Sequence, residues 1–310
     1  MGSLTHTNGS AVVRIGDTSA VCGVRAEILH TNDIASWSVS RNRSKDEEEP
    51  YIQEFNLLVP NLSLSTGCAP GFIPNAPPST LAQSLSHQLL SLLNSTGLVR
   101  EQDLTIWYQH PDLSVGEAHN ESERMDTEEE EHRVTALNER EIKAFWVLYI
   151  DVMIISLAGN PFDAAWASIL AALKDTKLPR AWWDADNETV ICSDDVSEAH
   201  GLSLRGFPVA SSFCVFEADA AAAWRAVVIP DAAETTAGKR PRWILADPDG
   251  YEESLSQETV CIVVDKDAGG RTVLLRMEKN GGWNVGRHDL RDLAGISARR
   301  WEDVKDVLFR

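Results

Sequence analysis

Apolar and polar positions along the chain predict a succession of short strands with three helices among them. From Ala11 to Ile28 β-branched residues dominate, and Gly16-Asp17 divides the run into two strands joined by a tight turn. Tyr51 to Val59 resumes an extended pattern that ends at Pro60, since proline lacks the donor a continuing ladder needs. Leu81, Leu85, Leu89, Leu92 and Leu93 recur at helical spacing; Thr80 and Gln83 read as a capping box before them, and Gly97 as the stop. Ala144 to Leu157 is nearly continuously apolar and rich in Val and Ile, the pattern of a strand buried on both faces. Gly159-Asn160-Pro161 is then a turn into Phe162 to Lys174, whose Ala and Leu content favours helix.

The second half reads as sheet. Trp182 to Ile191, Phe207 to Phe216, Trp243 to Ala246, Thr259 to Val264 and Thr272 to Met277 are strand-like, and Val285 to Phe309 closes the chain as an amphipathic helix. Thr31 to Pro50 and Asp112 to Arg140 are polar, acidic stretches expected to be insertions that add no core, and Ala218 to Pro241 reads as an elongated loop. The order of elements predicts a mixed α+β architecture, with a first half over 1–178 and a second over 179–310. Neither G-x-G-x-x-G after a strand nor G-x-x-x-x-G-K-[ST] occurs, so the usual nucleotide-cradling loops are missing.

Charge and cysteine content narrow the function classes. A formal charge of -19 over 310 residues argues against a self-sufficient nucleic-acid binder, because affinity for a polyanion comes from Lys and Arg. The acid is concentrated at Asp46 to Glu49 and Glu117 to Glu131, whereas Arg271 to Arg310 is rich in Arg, so a local basic contribution to a shared channel remains open. Cys22, Cys68, Cys192, Cys214 and Cys261 are scattered, without zinc-ligand spacing, and read as reduced thiols. No stretch approaches the roughly 20 apolar residues of a membrane span, and the first residues carry no secretory pattern, so no membrane partner is expected.

Four blocks of sequence carry a family resemblance. Gly9 to Glu27 resembles the opening hairpin of the RNase PH family. Val147 to Leu173, with Gly159-Asn160-Pro161-Phe162-Asp163-Ala164, is similar to the central strand and helix of that family's exosome members. Arg205 to Phe213 resembles the Pro-Val strand that opens the second half, and Asp247-Pro248-Asp249-Gly250-Tyr251-Glu252-Glu253 resembles an element of the non-catalytic ring branch. The resemblance implies an RNase PH-like fold of two related βαβα halves with mixed sheets and packed helices, in a six-membered ring that encloses an RNA channel. It also implies an N-terminal helix and an Arg-rich strand ahead of the hairpin; this chain begins almost at the hairpin, which predicts a shortened start.

Phosphorolysis brings two anions together and so needs cations around the phosphate and acidic groups near the scissile bond. In active family members the first helix carries Arg, whereas no Lys or Arg stands between Lys45 and Arg100 here. Those members also carry an Asp where counting twelve positions from Asp247 gives Thr259, and a hydroxyl cannot replace a carboxylate at neutral pH. The expectation is therefore a structural ring subunit without catalytic residues, metal or cofactor. Its expected role is in 3'-to-5' RNA processing and degradation, including ribosomal RNA maturation. Expected partners are other RNase PH-like ring subunits, cap subunits with RNA-binding domains, and single-stranded RNA, in nucleus, nucleolus and cytoplasm. An active exoribonuclease and a small-molecule binder unrelated to RNA are the alternatives; the second predicts a monomer with one deep pocket. Asp247, Asp249, Glu252 and Glu253 read either as a hard-cation site or as a solvated acidic turn. Arg100, Arg205, Lys279 and Arg287, in or beside loops, are the candidate RNA contacts, against ordinary surface charge as the alternative.

Overall fold

A computed structural model describes residues 2–35, 37, 51–73, 77, 79–108, 141–217, 242–256, 258–267, 269–281 and 285–308. Most of the expected insertion at 31–50, and all of those at 112–140 and 218–241, lie outside the described residues.

The first half builds β1 (Gly9–Ile15), β2 (Thr18–His30), the short α1 (Tyr51–Glu54), β3 (Leu58–Leu64), α2 (Thr80–Thr96), the short α3 (Glu101–Leu104), β4 (Thr105–Tyr108), β5 (Glu141–Ser156) and α4 (Pro161–Asp175). The strands form one sheet in the order β1-β2-β5-β3, with β4 also on β5; β3 runs parallel to β5 and the other pairs are antiparallel. After β6 (Lys177–Leu178), the second half contributes β7 (Ala181–Asp184), β8 (Thr189–Cys192), β9 (His200–Gly201), β10 (Val209–Glu217), β11 (Arg242–Ala246), α5 (Gly250–Leu255), β12 (Glu258–Lys266), β13 (Thr272–Gly281) and α6 (Arg287–Leu308). Its main sheet is antiparallel in the order β11-β10-β12-β13, and β6–β9 and β7–β8 are two small pairs beside it.

The hairpin, the long apolar strand and the helix after it stand where the pattern put them, with Gly16 in the left-handed conformation the tight turn requires. Burial along β5 is unbroken from Ala144 to Leu148 and then alternates from Asp151. Aromatic packing accounts for the unbroken part: Trp37, Tyr51 and Phe55 each sit with ring centroids 5.5–5.6 Å from Phe145. The expected strand at Tyr51 is instead one helical turn, because a helix brings Tyr51 and Phe55 into a stack one turn apart over that ring.

Pro60 does not end β3. Leu57 and Ser65 bond to β5 through backbone groups, so odd-numbered positions face the ladder, whereas the Leu62 N–H points the other way and donates to Ser86 Oγ at 3.1 Å. Pro60 shares the parity of Leu62, and its missing donor falls on the outer side of an edge strand, where proline is tolerated. Two further corrections are local. The cap of α2 is Ser79, whose Oγ accepts from the Ala82 N–H, and the helix begins far enough round that Leu81 is exposed while Ala82 joins Leu85, Leu89, Leu92 and Leu93 in the core. Trp182 to Ile191 is a hairpin rather than one strand, reversed at a turn that holds Glu188 at φ 49°.

The two main sheets share one core, and α4 lies against β1 and β2 on one side and β10 on the other. Two indoles secure the entry to β10: Trp166 Nε1 donates to the Pro208 carbonyl at 2.8 Å, and Trp301 Nε1, from α6, donates to the Phe207 carbonyl at 2.7 Å. Both are buried, so neither carbonyl has water as a substitute. Replacing Trp166 by Phe keeps an aromatic ring but strips the Pro208 carbonyl of its donor. Unfolding in urea is expected to lose about 2 kcal/mol with an unchanged m value; an unaltered midpoint would show that this bond does not hold the halves together.

Candidate functional site

The N-terminal end of α4 is the most densely polar place in the described core. Gly159 and Asn160 both take positive φ, 114° and 45°, which turns the chain sharply from β5 into the helix, and Pro161 presets the first helical position. A Cβ on Gly159 would stand 2.5 Å from backbone atoms of Asp249 and Gly250, so the turn is compatible with glycine alone. The Gly250 N–H donates to the Ala158 carbonyl at 2.7 Å, the Asp247 N–H to the Ser212 carbonyl at 3.1 Å, and the Thr18 hydroxyl to the Gly159 carbonyl at 2.6 Å. Both sheets and the loop before α5 therefore converge on this turn.

Asp163, in the first turn of α4 and 2% exposed, is the centre of the cluster. Its carboxylate accepts from Asn160 Nδ2 (2.9 Å), from the Ser212 N–H (3.1 Å) and hydroxyl (2.8 Å), and from Arg300 Nη1 (2.8 Å). A buried anion with four donors, one of them cationic, is fully satisfied. Asn160 Nδ2 also donates to Asp247 Oδ1 at 2.6 Å, and the Asn160 N–H donates to Glu253 Oε1 at 2.7 Å. The positive end of the helix dipole is thus met by carboxylates of the protein itself.

Those carboxylates crowd one another. Burial first, and then the charges of Asp163, Asp249 and Asp247, push the Glu253 carboxyl above its ordinary value despite the Asn160 N–H that favours its ionised form. The same acidity reaches β12, where burial first and the charge of Asp163 second push the Cys261 thiol up to about 12.

The acidic turn resolves as structure. Asp249 caps α5, accepting from the N–H groups of Tyr251 and Glu252, while Glu252 returns the bond to the Asp249 N–H. With Asp247 and Glu253 on Asn160, each of the four carboxylates is turned to a donor of its own chain, and among the described residues no group of three His, Cys, Asp or Glu side chains converges as metal ligands would. Thr259 stands in β12 between Cys214 and Asn280.

The four expected RNA contacts do not form one patch. Arg100 is exposed just before α3, and the Arg205 N–H donates to the Leu98 carbonyl, so these two stand on neighbouring segments. Lys279 lies within β13, not in a loop, and its ammonium is 2.5 Å from Glu258, a buried carboxylate. It stands opposite Val260, whereas Arg205 adjoins Gly206, which packs on Asp265; those points are separated by roughly 17 Å along β12. Arg287 is exposed at the start of α6. Arg300 has no local pattern to single it out among the several Arg of a C-terminal helix; an Asp at the third position of an otherwise apolar helix, in need of a buried partner, was the available signal.

The mixed first sheet, the antiparallel second sheet and the helix between them define an RNase PH-like α+β fold. The chain belongs to the 3' exoribonuclease (RNase PH) family: residues 1–179 match its domain 1. It is 30% identical over 286 residues to the exosome complex component rrp43 of Schizosaccharomyces pombe, an alignment that covers 91% of this chain and 74% of that protein. It is 23% identical to the exosome complex component Rrp42 of Methanopyrus kandleri, over 98% of this chain and 83% of that one. Among solved structures it is similar to a chain of the Archaeoglobus fulgidus exosome with RNA bound to the active site, with a TM-score of 0.59 and 20% identity over 99% of this chain and 85% of that one. A chain of an archaeal exosome core gives a TM-score of 0.54 at 18% identity over 99% of this chain and 84% of that one.

Replacing Glu253 by Gln keeps an acceptor for the Asn160 N–H and removes one of the crowded charges. A carboxyl raised on folding costs stability as pH rises above its unfolded value, so the variant is expected to melt higher than the parent at pH 7 and to lose that advantage as pH falls toward 4. Parallel melting curves at the two pH values check this, and an advantage that persists at low pH would contradict it.

Proposed function

We propose that this chain is a non-catalytic subunit of the RNA exosome ring, a scaffold for 3'-to-5' RNA processing and degradation, including ribosomal RNA maturation. Its neighbours in this reading are other RNase PH-like subunits and cap subunits with RNA-binding domains, and single-stranded RNA passes through the shared ring. The particle works in nucleus, nucleolus and cytoplasm. The chain divides at 178/179 into two halves. The names of its relatives, both exosome complex components, support the assembly.

One observation carries the absence of catalysis. The α4 N-terminus, the part of the cluster with N–H groups directed outward from a helix, has its Asn160 N–H on Glu253, with Asp163 and Asp247 beside it. An incoming phosphate would meet three carboxylates, and the cation at hand, Arg300, is held by Asp163. The neutral α2 and the hydroxyl at Thr259 point the same way.

Purified chain incubated with single-stranded RNA, inorganic phosphate and magnesium is expected to release no nucleoside diphosphate; release that scales with chain concentration would overturn the reading. RNA contact is tested separately in reconstituted rings. Reversing the charge of both Arg100 and Arg205 to Glu is expected to flatten the dependence of log K on log salt, by about 0.7 for each phosphate of a single strand that is no longer neutralised. An unchanged slope removes these residues from the RNA path.

A further inference from the structure

The β7–β8 hairpin is a two-stranded sheet with a marked difference between its faces. Ala181, Trp183, Val190 and Cys192 share one face, and that face is packed: Ala181, Val190 and Cys192 border the core, and Trp183 lies edge-on to His30 at 6.1 Å with the Lys143 ammonium 5.6 Å from its ring. By strand alternation Trp182 and its cross-strand partner Ile191 occupy the opposite face, and there they are 42% and 37% exposed. Val196, in the turn that follows β8, is 81% exposed. A hairpin of four residues per strand is marginal by itself, and a Trp–Ile cross-strand pair adds at most about 1 kcal/mol to it while leaving apolar area in water.

Around this apolar centre the exposed charge is predominantly negative. Asp186 and Glu188 stand in the hairpin turn, and Asp194 and Asp195 follow β8; all four are exposed. The nearby Arg180 is 3.5 Å from Glu198, which offsets it. Within the rim, hydrogen bonds from the Ser197 N–H and hydroxyl hold the Asp195 carboxyl below its ordinary value. A polyanion is repelled by such a rim, and a second copy of a chain with net charge -19 gains nothing from it. Complementarity selects a basic segment that presents an apolar side chain.

We infer that the outer face of the β7–β8 hairpin, Trp182 and Ile191 within their acidic rim, is a docking site for a Lys- and Arg-rich segment of a partner protein, anchored by an apolar side chain. This goes beyond the role in the ring and does not depend on the chain's lacking catalysis.

The test uses the full chain and three short fluorescein-labelled peptides that alternate Lys with Leu, Lys with Ser, and Glu with Leu, with binding followed by anisotropy. The Lys–Leu peptide is expected to bind about ten-fold more tightly than Lys–Ser, and Glu–Leu not to bind. Trp182→Ala and Ile191→Ser should each weaken Lys–Leu binding by about ten-fold or more, as should the double reversal Asp186→Lys with Glu188→Lys, while melting temperatures stay within a few degrees of the parent value. Affinity unchanged in both apolar variants, or in the charge reversal, overturns the proposal. So does a dimer dispersed by Ile191→Ser in sedimentation, which would assign the face to a second copy, or displacement of the peptide by oligouridylate, which would assign it to nucleic acid.

Discussion

The buried carboxylate of Asp163 constrains the rest of the fold. A charge removed from water must be paired and fully hydrogen-bonded, and the donors that meet this one come from three parts of the chain: the cap of α4, the middle of β10 and the C-terminal helix α6. Once Ser212 is bound to Asp163, β10 has a fixed height against α4, and with it the register Ser212–Cys261 to β12. Arg300 then sets the rotation of α6, which delivers Trp301 one residue later to the Phe207 carbonyl and to Asp265. The indole of Trp166, one turn along α4 from Asp163, closes the adjacent Pro208 carbonyl. The polar network and the two indoles thus specify one arrangement of two sheets about one helix, where apolar packing alone would permit sliding.

The same network also occupies the N-terminal end of α4. A helix N-terminus offers outward N–H groups and the positive end of a dipole, a natural place for an anion. In this chain the anions are covalently part of the protein. Asp247 arrives on the loop before α5 and Glu253 within α5 itself, both held by that helix's capping box and by the Gly250 bond to Ala158. The cost is visible in the raised Glu253 carboxyl, a consequence first of its burial and then of its place near three other acids. A joint built this way gains strength from groups that a phosphate pocket would have to leave open, so the electrostatics of this helix end and the mechanics of the joint between the sheets have one origin.

Much of the fold was legible where a single period governs a segment. The hairpin, β5 and α4 obey a rule of alternation, continuous burial or helical spacing, each reinforced by Gly or Pro at its ends. The failures have one cause, a decision taken by a distant segment. Pro60 stops a strand in the middle of a sheet but not on the outer side of an edge, and no local feature reveals on which side Ser86 waits. Tyr51 and Phe55 fit a strand by composition and became a helical turn because Phe145, far along the chain, offers a ring to cover. Lys279 is an exposed cation as expected, but its partner Glu258 was not foreseen, because the burial of that carboxylate depends on β13 lying beside β12. In the site, Asp163 and Asn160 stood within the family-like block, while Arg300, remote in sequence, became visible only when α6 was placed.

The sheet edges also point to a partnered chain. On the first sheet the outer side of β1 is closed by the Gly2 N–H on the Ser10 carbonyl and by the Lys177 N–H on the Asn8 carbonyl beside it, and β3 is blunted by Pro60 and by Ser86 on Leu62. On the second sheet β13 pairs with β12 alone among the described strands, and Val273, Leu274, Leu275 and Met277 are all 37–49% exposed along it. A register shift beside Leu275 twists the strand, which is one protection against indiscriminate pairing, and its charged residues Arg276 and Lys279 are turned toward their own chain, on the Gln88 carbonyl and Glu258. A bulge, a Lys and inward-pointing charges are each among the usual protections of an edge, so what sets β13 apart is the apolar area that it leaves in water. A neighbouring surface that covered this strand would remove that apolar area from water.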